Sequence, residues 1–355
     1  MLSPEIQKVL AQFKLTESPV NCCLWGEGHI HETYLVETKN HHPDYILQKI
    51  NHFVFRNIPG MMNNIEIVTR HIRQKLNNIP GHKPDIESMT LVYTRTGQSF
   101  FLDENEDYWR MYIFIPETFS LQKITESQQA YEAGKAIGFF QSMLSDLDTP
   151  LVDTIPDFHN IDCRISQFDL AKNAGAVGRA EQVPDEIHFV EKRFSQMKSY
   201  YRSLKEKAVV RATHNDTKVN NVLFDSHNRA QCLIDLDTVM LGYVHFDYGD
   251  ALRTMANTAL EDERDIGKVH FDEEVYHAFT QGYLNEAGNF LNLDELLLLP
   301  YAPIYLTFII GLRFLTDYLN GDVYFRILHP GHNLDRARVQ FKLVEEMEKI
   351  LRVKV

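Results

Sequence analysis

Hydrophobic spacing along this 355-residue chain switches near Pro116 from the alternation of strands to the spacing of helices. It switches back only once, over Val209–Asp237. Before Pro116, the runs Cys22–Gly26, Glu32–Thr38 and Tyr45–Ile50 are rich in β-branched, aromatic or aliphatic residues. Gly, Asn, His and Pro separate them, so they read as strands. Met61–Leu76 is amphipathic and reads as a helix. Thr90–Thr94, Ser99–Leu102 and Tyr108–Ile115 read as further strands, with Asp103–Asp107 as a hairpin turn. Beyond Pro116, Glu126–Leu147, Glu191–Lys207 and Asp335–Leu351 carry apolar residues at helical spacing. The pattern is that of an α+β protein with a β-rich N-terminal lobe (1–117) and a larger, mainly helical C-terminal lobe (118–355).

Charge and cysteine usage narrow the partners. Lys plus Arg number 36 and Asp plus Glu 49, a net charge of −13. No stretch concentrates the cations that a nucleic-acid binder needs to displace phosphate counterions, which argues against that partner. The four cysteines form no C-x-x-C pair and no disulfide-dense spacing. MLSPEIQKVLAQF lacks the apolar core of a signal peptide, so a reducing cytoplasm is the expected compartment. Leu296–Leu312 is apolar enough to be considered as a membrane span. Pro300 and Pro303 interrupt it and Arg313 ends it, so a buried helix hairpin is expected and no membrane partner.

Several chemistries are missing from the sequence. It has no G-x-x-x-x-G-K-[ST] phosphate loop, no G-x-S-x-G elbow and no H-E-x-x-H. His29 and His31 share a strand parity, but two ligands without a third make a poor metal site.

The strongest signal lies in the β island. It reads Thr213-His214-Asn215-Asp216-Thr217-Lys218-Val219-Asn220-Asn221, an apolar VLF, a polar turn, then Cys232-Leu233-Ile234-Asp235-Leu236-Asp237. Turn-forming explains Asp225–Asn228, but not a polar loop set between apolar strands. The H-x-D-x-x-x-x-N spacing resembles the protein-kinase catalytic loop, with Asp235 where a metal-binding Asp would follow. On that likeness Asp216 orients the acceptor hydroxyl and takes its proton late. Asn221 and Asp235 are hard oxygen ligands for Mg²⁺. Lys218 reaches the transferring phosphate, and His214 braces the loop.

THNDTKVNNVLF and LIDLDTVMLGYVHFDYGDALR together resemble the aminoglycoside phosphotransferase and choline kinase superfamily, and most of all bacterial N-acetylhexosamine 1-kinases. Asn215 and the Asp235-Leu236-Asp237 run depart from the His-Gly-Asp and single-Asp patterns of antibiotic kinases. The resemblance implies a kinase-like fold whose N-terminal lobe binds ATP with Mg²⁺. It implies phosphate contacts from Gly26, Gly28 and Lys49, with Glu66 as the ion-pair partner of Lys49. It also implies that Asp247, in a D-x-x-D with Asp250, supports the catalytic loop. The implied acceptor is a small molecule, an amino sugar phosphorylated at its anomeric hydroxyl, held by Asp216, His31, Arg313 and Tyr324. For Arg313 the alternative is a salt bridge to Asp317. A choline, ethanolamine or aminoglycoside kinase is the other enzymatic reading, and Glu261, Asp262, Glu263 and Asp265 offer carboxylates for such cations. A kinase-like binding module without turnover is the non-enzymatic one. Oligomeric state is left open.

Overall fold

The computed structural model describes residues 3–26, 30–39, 43–175 and 178–353. The elements in chain order begin with α1 (Pro4–Leu10), β1 (Pro19–Leu24), β2 (Glu32–Thr38), β3 (Tyr45–Ile50), α2 (Ile58–Leu76), α3 (Pro84–Glu87), β4 (Phe101–Leu102), β5 (Tyr108–Ile113) and β6 (Thr118–Ser120). There follow α4 (Ser127–Leu144), α5 (Ile161–Ala174), α6 (Pro184–Lys207), β7 (Arg211–Thr213), β8 (Val222–Asp225), β9 (Ala230–Leu233) and β10 (Met240–Gly242). The chain ends with α7 (Val244–Met255), α8 (Glu273–Ala287), α9 (Leu293–Leu298), α10 (Ala302–Leu319) and α11 (His332–Leu351). Two compact units result. The first holds residues 1–119, 146–155 and 223–241, and the second holds 120–145, 156–222 and 242–355.

In the first unit β1 to β5 form an antiparallel sheet in the order β1-β2-β3-β5-β4. Period-two alternation gives it two chemically distinct faces. Tyr45, Leu47, Trp109 and Met111 share one core with Ile6, Val9, Leu10 and Phe13 of α1 and the turn after it. The Asp103–Asp107 turn closes as Asp103 accepts the N–H groups of Asn105 (2.8 Å) and Asp107 (3.0 Å). Thr90–Thr94, expected as a strand, makes only isolated bridges, Leu91 to Tyr112 and Thr94 to Phe13. Its two ends pair with different segments, so no continuous ladder forms.

α2 buries Met61, Ile65, Val68, Ile72 and Leu76 at helical spacing. Buried among them is Asn64, whose amide donates to the Val152 carbonyl (2.8 Å) and the Val239 carbonyl (2.9 Å). Its oxygen accepts the Val152 N–H at 3.0 Å. One side chain thus ties segments 146–155 and 223–241 into this unit.

The second unit is helical. α4 and α8 pack with backbones nearly touching: a Cβ on Gly134 would lie 2.1 Å from the Phe279 carbonyl, and one on Gly282 2.0 Å from that of Tyr131. Only glycine permits that approach. Against expectation, the apolar run is no hairpin. α9 passes through a 3₁₀ turn, Leu299–Tyr301, straight into α10. Pro300 sits in that turn and Pro303 in the first turn of α10, where no helical N–H partner is lost. Leu293–Leu319 is long and apolar enough to cross a membrane, but 78% of its most apolar window is buried. It packs against α5, α7 and α11 as the central helix of its unit.

Candidate active site

In the second unit, β7 leads into the loop Thr213–Lys218 and a 3₁₀ turn, Val219–Asn221. Asn215 has φ +66°, a left-handed conformation that glycine and asparagine adopt most readily. That explains why Asn stands where related patterns carry Gly. Its side chain closes the bend locally, donating to the Thr213 carbonyl at 3.1 Å.

Asp247 of α7 holds the loop from beneath. Its carboxylate accepts the N–H groups of Asn215 (2.7 Å) and His214 (3.0 Å) and the Gln141 amide (2.8 Å). The Asp247 carbonyl accepts the Thr217 hydroxyl at 2.6 Å. Burial raises the Asp247 carboxyl, and the surrounding donors only partly offset this. His214, fully buried, accepts the Asp216 N–H on Nδ1 at 3.3 Å and sets its ring against Phe140.

Asp216 emerges from this support. Lys218 Nζ lies 2.8 Å from its Oδ2. The Asn221 amide donates to the Asp216 carbonyl (2.8 Å) and to Oδ2 (3.3 Å). Burial would raise this carboxyl, but Lys218, His214 and Arg253 together hold it below the usual range. It is therefore a carboxylate at neutral pH, suited to accept a hydroxyl hydrogen bond. With its NH₂ committed to Asp216, the Asn221 side chain keeps its amide oxygen as a hard acceptor.

Arg313 stacks on three rings, with its guanidinium 5.0 Å from the Phe158 centroid, 5.4 Å from Phe325 and 5.7 Å from Tyr324. The salt bridge to Asp317 does not form. Asp317 instead accepts the N–H groups of Val323 (3.0 Å), Tyr324 (2.8 Å) and Phe325 (2.9 Å), and so folds the loop that carries Tyr324. Burial lowers Arg313, and its charge is felt at Asp216, His159 and Arg164. Burial first, then Arg313, pushes His159 down to about 3 and Arg164 down to about 10. Around Asp216 within this unit the charges of Lys218, Arg253 and Arg313 are set against the buried carboxylate of Asp250.

In the first unit the expected nucleotide residues need correction. Lys49 and Glu66 are not paired: Lys49 bonds Asp107 at 2.6 Å, and Glu66 lies 3.8 Å from Arg70, one turn along α2. Strand parity is the reason. Lys49 shares the face of Tyr45 and Leu47, with its ammonium 5.7 Å from the Trp109 ring. Gln48 occupies the opposite face, where it bonds Arg110. Gly26 has φ +76° and open space around it, and Gly28 lies outside the described residues.

His31 needs correction as well, because both ring nitrogens are used internally. Nδ1 accepts the Asn51 N–H at 3.0 Å, and Nε2 bonds Asp237 at 2.5 Å. No ring nitrogen is left for a sugar. Asp235 is left-handed, φ +64° and ψ +58°, and brings its carboxylate within 4.8 Å of ligand atoms of His31 and Asp237. Asp237 is also clasped by Arg110, through Nη1 and through Nη2 at 3.0 Å. Sequence reading missed Arg110 and the role of Asp237. The signal was there: YWRMYI places one charge in the middle of an apolar strand, and a charge buried in a sheet is costly unless something pairs or hydrogen-bonds it.

A family profile described as the phosphotransferase enzyme family matches residues 23–288. Among solved structures, a microcompartment-associated aminopropanol kinase superposes with TM-score 0.67 at 15% identity, covering 98% of this chain and 96% of that one. A spectinomycin phosphotransferase in complex with ADP and spectinomycin gives 0.56 at 13% identity, covering 98% and 97%. A choline kinase from Streptococcus pneumoniae gives 0.55 at 14%, covering 93% and 94%. At such identities the likeness is one of fold, and the fold is kinase-like.

Proposed function

This chain belongs to the phosphotransferase enzyme family, and from that premise we propose that it transfers the γ-phosphoryl group of ATP to a hydroxyl of a small molecule. The observation that carries the reading is Asp216, ionised, braced by Asp247 through the loop and paired with Lys218 at 2.8 Å. Phosphoryl transfer needs little covalent help from protein, because its transition state is loose and charge is spread over the phosphoryl oxygens. Positioning and charge neutralisation do the catalysis. Asp216 accepts the hydrogen bond of the acceptor hydroxyl and fixes its oxygen for attack on Pγ. As the new P–O bond forms and the bond to the ADP oxygen breaks, the hydroxyl proton passes to Asp216. A carboxylate held this acidic is a weak base, so the proton moves late. Lys218 neutralises phosphoryl charge.

Asn221 and Asp235 have the oxygen donors that Mg²⁺ prefers, and the committed NH₂ of Asn221 suits its oxygen to that role. When bound with the nucleotide, Mg²⁺ supplies charge neutralisation at the phosphate oxygens.

The acceptor we favour is an N-acetylhexosamine, phosphorylated at its anomeric hydroxyl. The sequence resemblance around Thr213–Asn221 and Asp235–Met240 supports it. So does Arg313, a cation without a carboxylate partner within salt-bridge distance among the described residues. A site that carries the charge of Arg313 near Asp216 disfavours a cationic acceptor. The second reading, an amino-alcohol, choline or aminoglycoside kinase, is favoured by the solved structures named above, an aminopropanol kinase, a spectinomycin phosphotransferase and a choline kinase. Consumption of ATP over N-acetylhexosamines, neutral hexoses, choline, aminopropanol and aminoglycosides separates the two, with the product's phosphate position read by NMR. Preference for choline, aminopropanol or an aminoglycoside over every N-acetylhexosamine would replace the first reading by the second. Nucleotide binding with no turnover on any acceptor would make the protein a binding module.

A further inference from the structure

Asp235 adopts the left-handed backbone conformation, which few non-glycine residues other than Asn and Asp take up. The residues after it are held from several sides within the first unit. Asp237 is gripped by both terminal nitrogens of Arg110 and by His31. Its carbonyl accepts the Thr154 hydroxyl at 3.4 Å, and the Val239 carbonyl accepts Asn64 at 2.9 Å. The grip is itself anchored in the sheet. Arg110 Nε donates to Gln48 (2.9 Å), Gln48 donates to Thr33 (3.0 Å), and the Asn51 N–H fixes His31. Arg110 and Asp237 are 1% and 2% exposed, so neither is available to solvent or to a phosphate.

We propose that Arg110 is a positioning residue: its buried pair with Asp237 fixes the turn Asp235–Met240 and so aims the Asp235 carboxylate, while Asp237 itself ligates nothing. The inference rests on the reading of Asp235 as a metal ligand. His31, Asp235 and Asp237 do cluster as a cation site might. However, both oxygens of Asp237 are already spent on a guanidinium, and a cation bound there would face the charge of Arg110.

Three variants test this: Arg110→Met, the double replacement Arg110→Met with Asp237→Leu, and Asp235→Asn. The double variant exchanges a buried ion pair for apolar groups and is expected to keep its fold. ADP binding is measured by calorimetry with and without Mg²⁺, and amide exchange over residues 235–239 without nucleotide. In the wild type Mg²⁺ is expected to tighten ADP at least tenfold. Asp235→Asn loses that factor. Arg110→Met and the double variant are expected to lose most of it, to keep the Mg²⁺-free affinity, and to exchange faster over the turn. If Asp237 were a ligand, Arg110→Met would release it and the Mg²⁺ factor would persist or grow. That result, or unchanged exchange in the folded double variant, overturns the proposal. A wild type without any Mg²⁺ effect would remove the metal reading, and the exchange data would still decide whether Arg110 sets the turn.

Discussion

Asp247→Ala tests whether the catalytic loop is held from beneath. The carboxylate serves three donors, two of them backbone N–H groups at 2.7 and 3.0 Å and one the Gln141 amide at 2.8 Å. Alanine takes this carboxylate away from all three at a fully buried position. Each buried, unsatisfied donor costs about 1–3 kcal/mol, so the loss is about 5 kcal/mol. Relief of the buried charge, which burial already disfavours, returns part of it. A loss of about 4 kcal/mol is a large share of the roughly 5–15 kcal/mol that holds a domain together. Asp247→Asn is milder. Its one oxygen can serve His214 and Gln141, but its NH₂ then meets the Asn215 N–H, at a cost of about 2 kcal/mol. Urea unfolding and steady-state kinetics on the same preparations check both numbers. The alanine variant should be the less stable, and both should lose kcat more than nucleotide affinity. An alanine variant within 1 kcal/mol of wild type, with unchanged kcat, would show that the loop stands without Asp247.

Asp216→Asn should keep fold and nucleotide binding while kcat falls about 10²–10⁴-fold, since the acceptor hydroxyl loses its proton acceptor; near-native turnover would remove Asp216 from the chemistry. Arg313→Ala should raise the KM for the sugar about 10–100-fold, the worth of one charge-assisted hydrogen bond, and should ease entry of cationic acceptors; an unchanged KM refutes the contact. Stability should fall in mild acid through two buried histidines. Burial pushes His159 down to about 3 and His245 down to about 4, both below the ordinary 6.5. Between those values the unfolded chain binds more protons, so stability rises with pH, is complete above about 6.5 and is lost as pH falls. At pH 5 each histidine has cost about 2 kcal/mol, from 1.5 units at 1.36 kcal/mol per unit. Equal urea midpoints at pH 7.5 and pH 5 would contradict this.

What the sequence disclosed and what it hid divide along one physical line. Glu32–Thr38 and Tyr45–Ile50 were legible to the residue as β2 and β3, because local alternation is all a strand needs to declare itself. The polar loop at Thr213–Asn221 was legible because polar residues between apolar strands conflict with burial, and the sequence tolerates that only for a purpose. Pairing across long separations was not legible. Arg110 and Asp237 are 127 positions apart, and Asn64 reaches 88 and 175 positions to its carbonyls. Even parity within one strand was easily misread. The dipeptide Gln48-Lys49 offers a cation in the expected strand, but a single step along it changes the face. Lys49 therefore meets Asp107 and the core on α1, while its neutral neighbour Gln48 joins Arg110 and the turn that carries Asp235. The pairing of Lys49 with Glu66 was the wrong one, because a strand's faces are set by register against β2 and β5, and register is a property of the sheet.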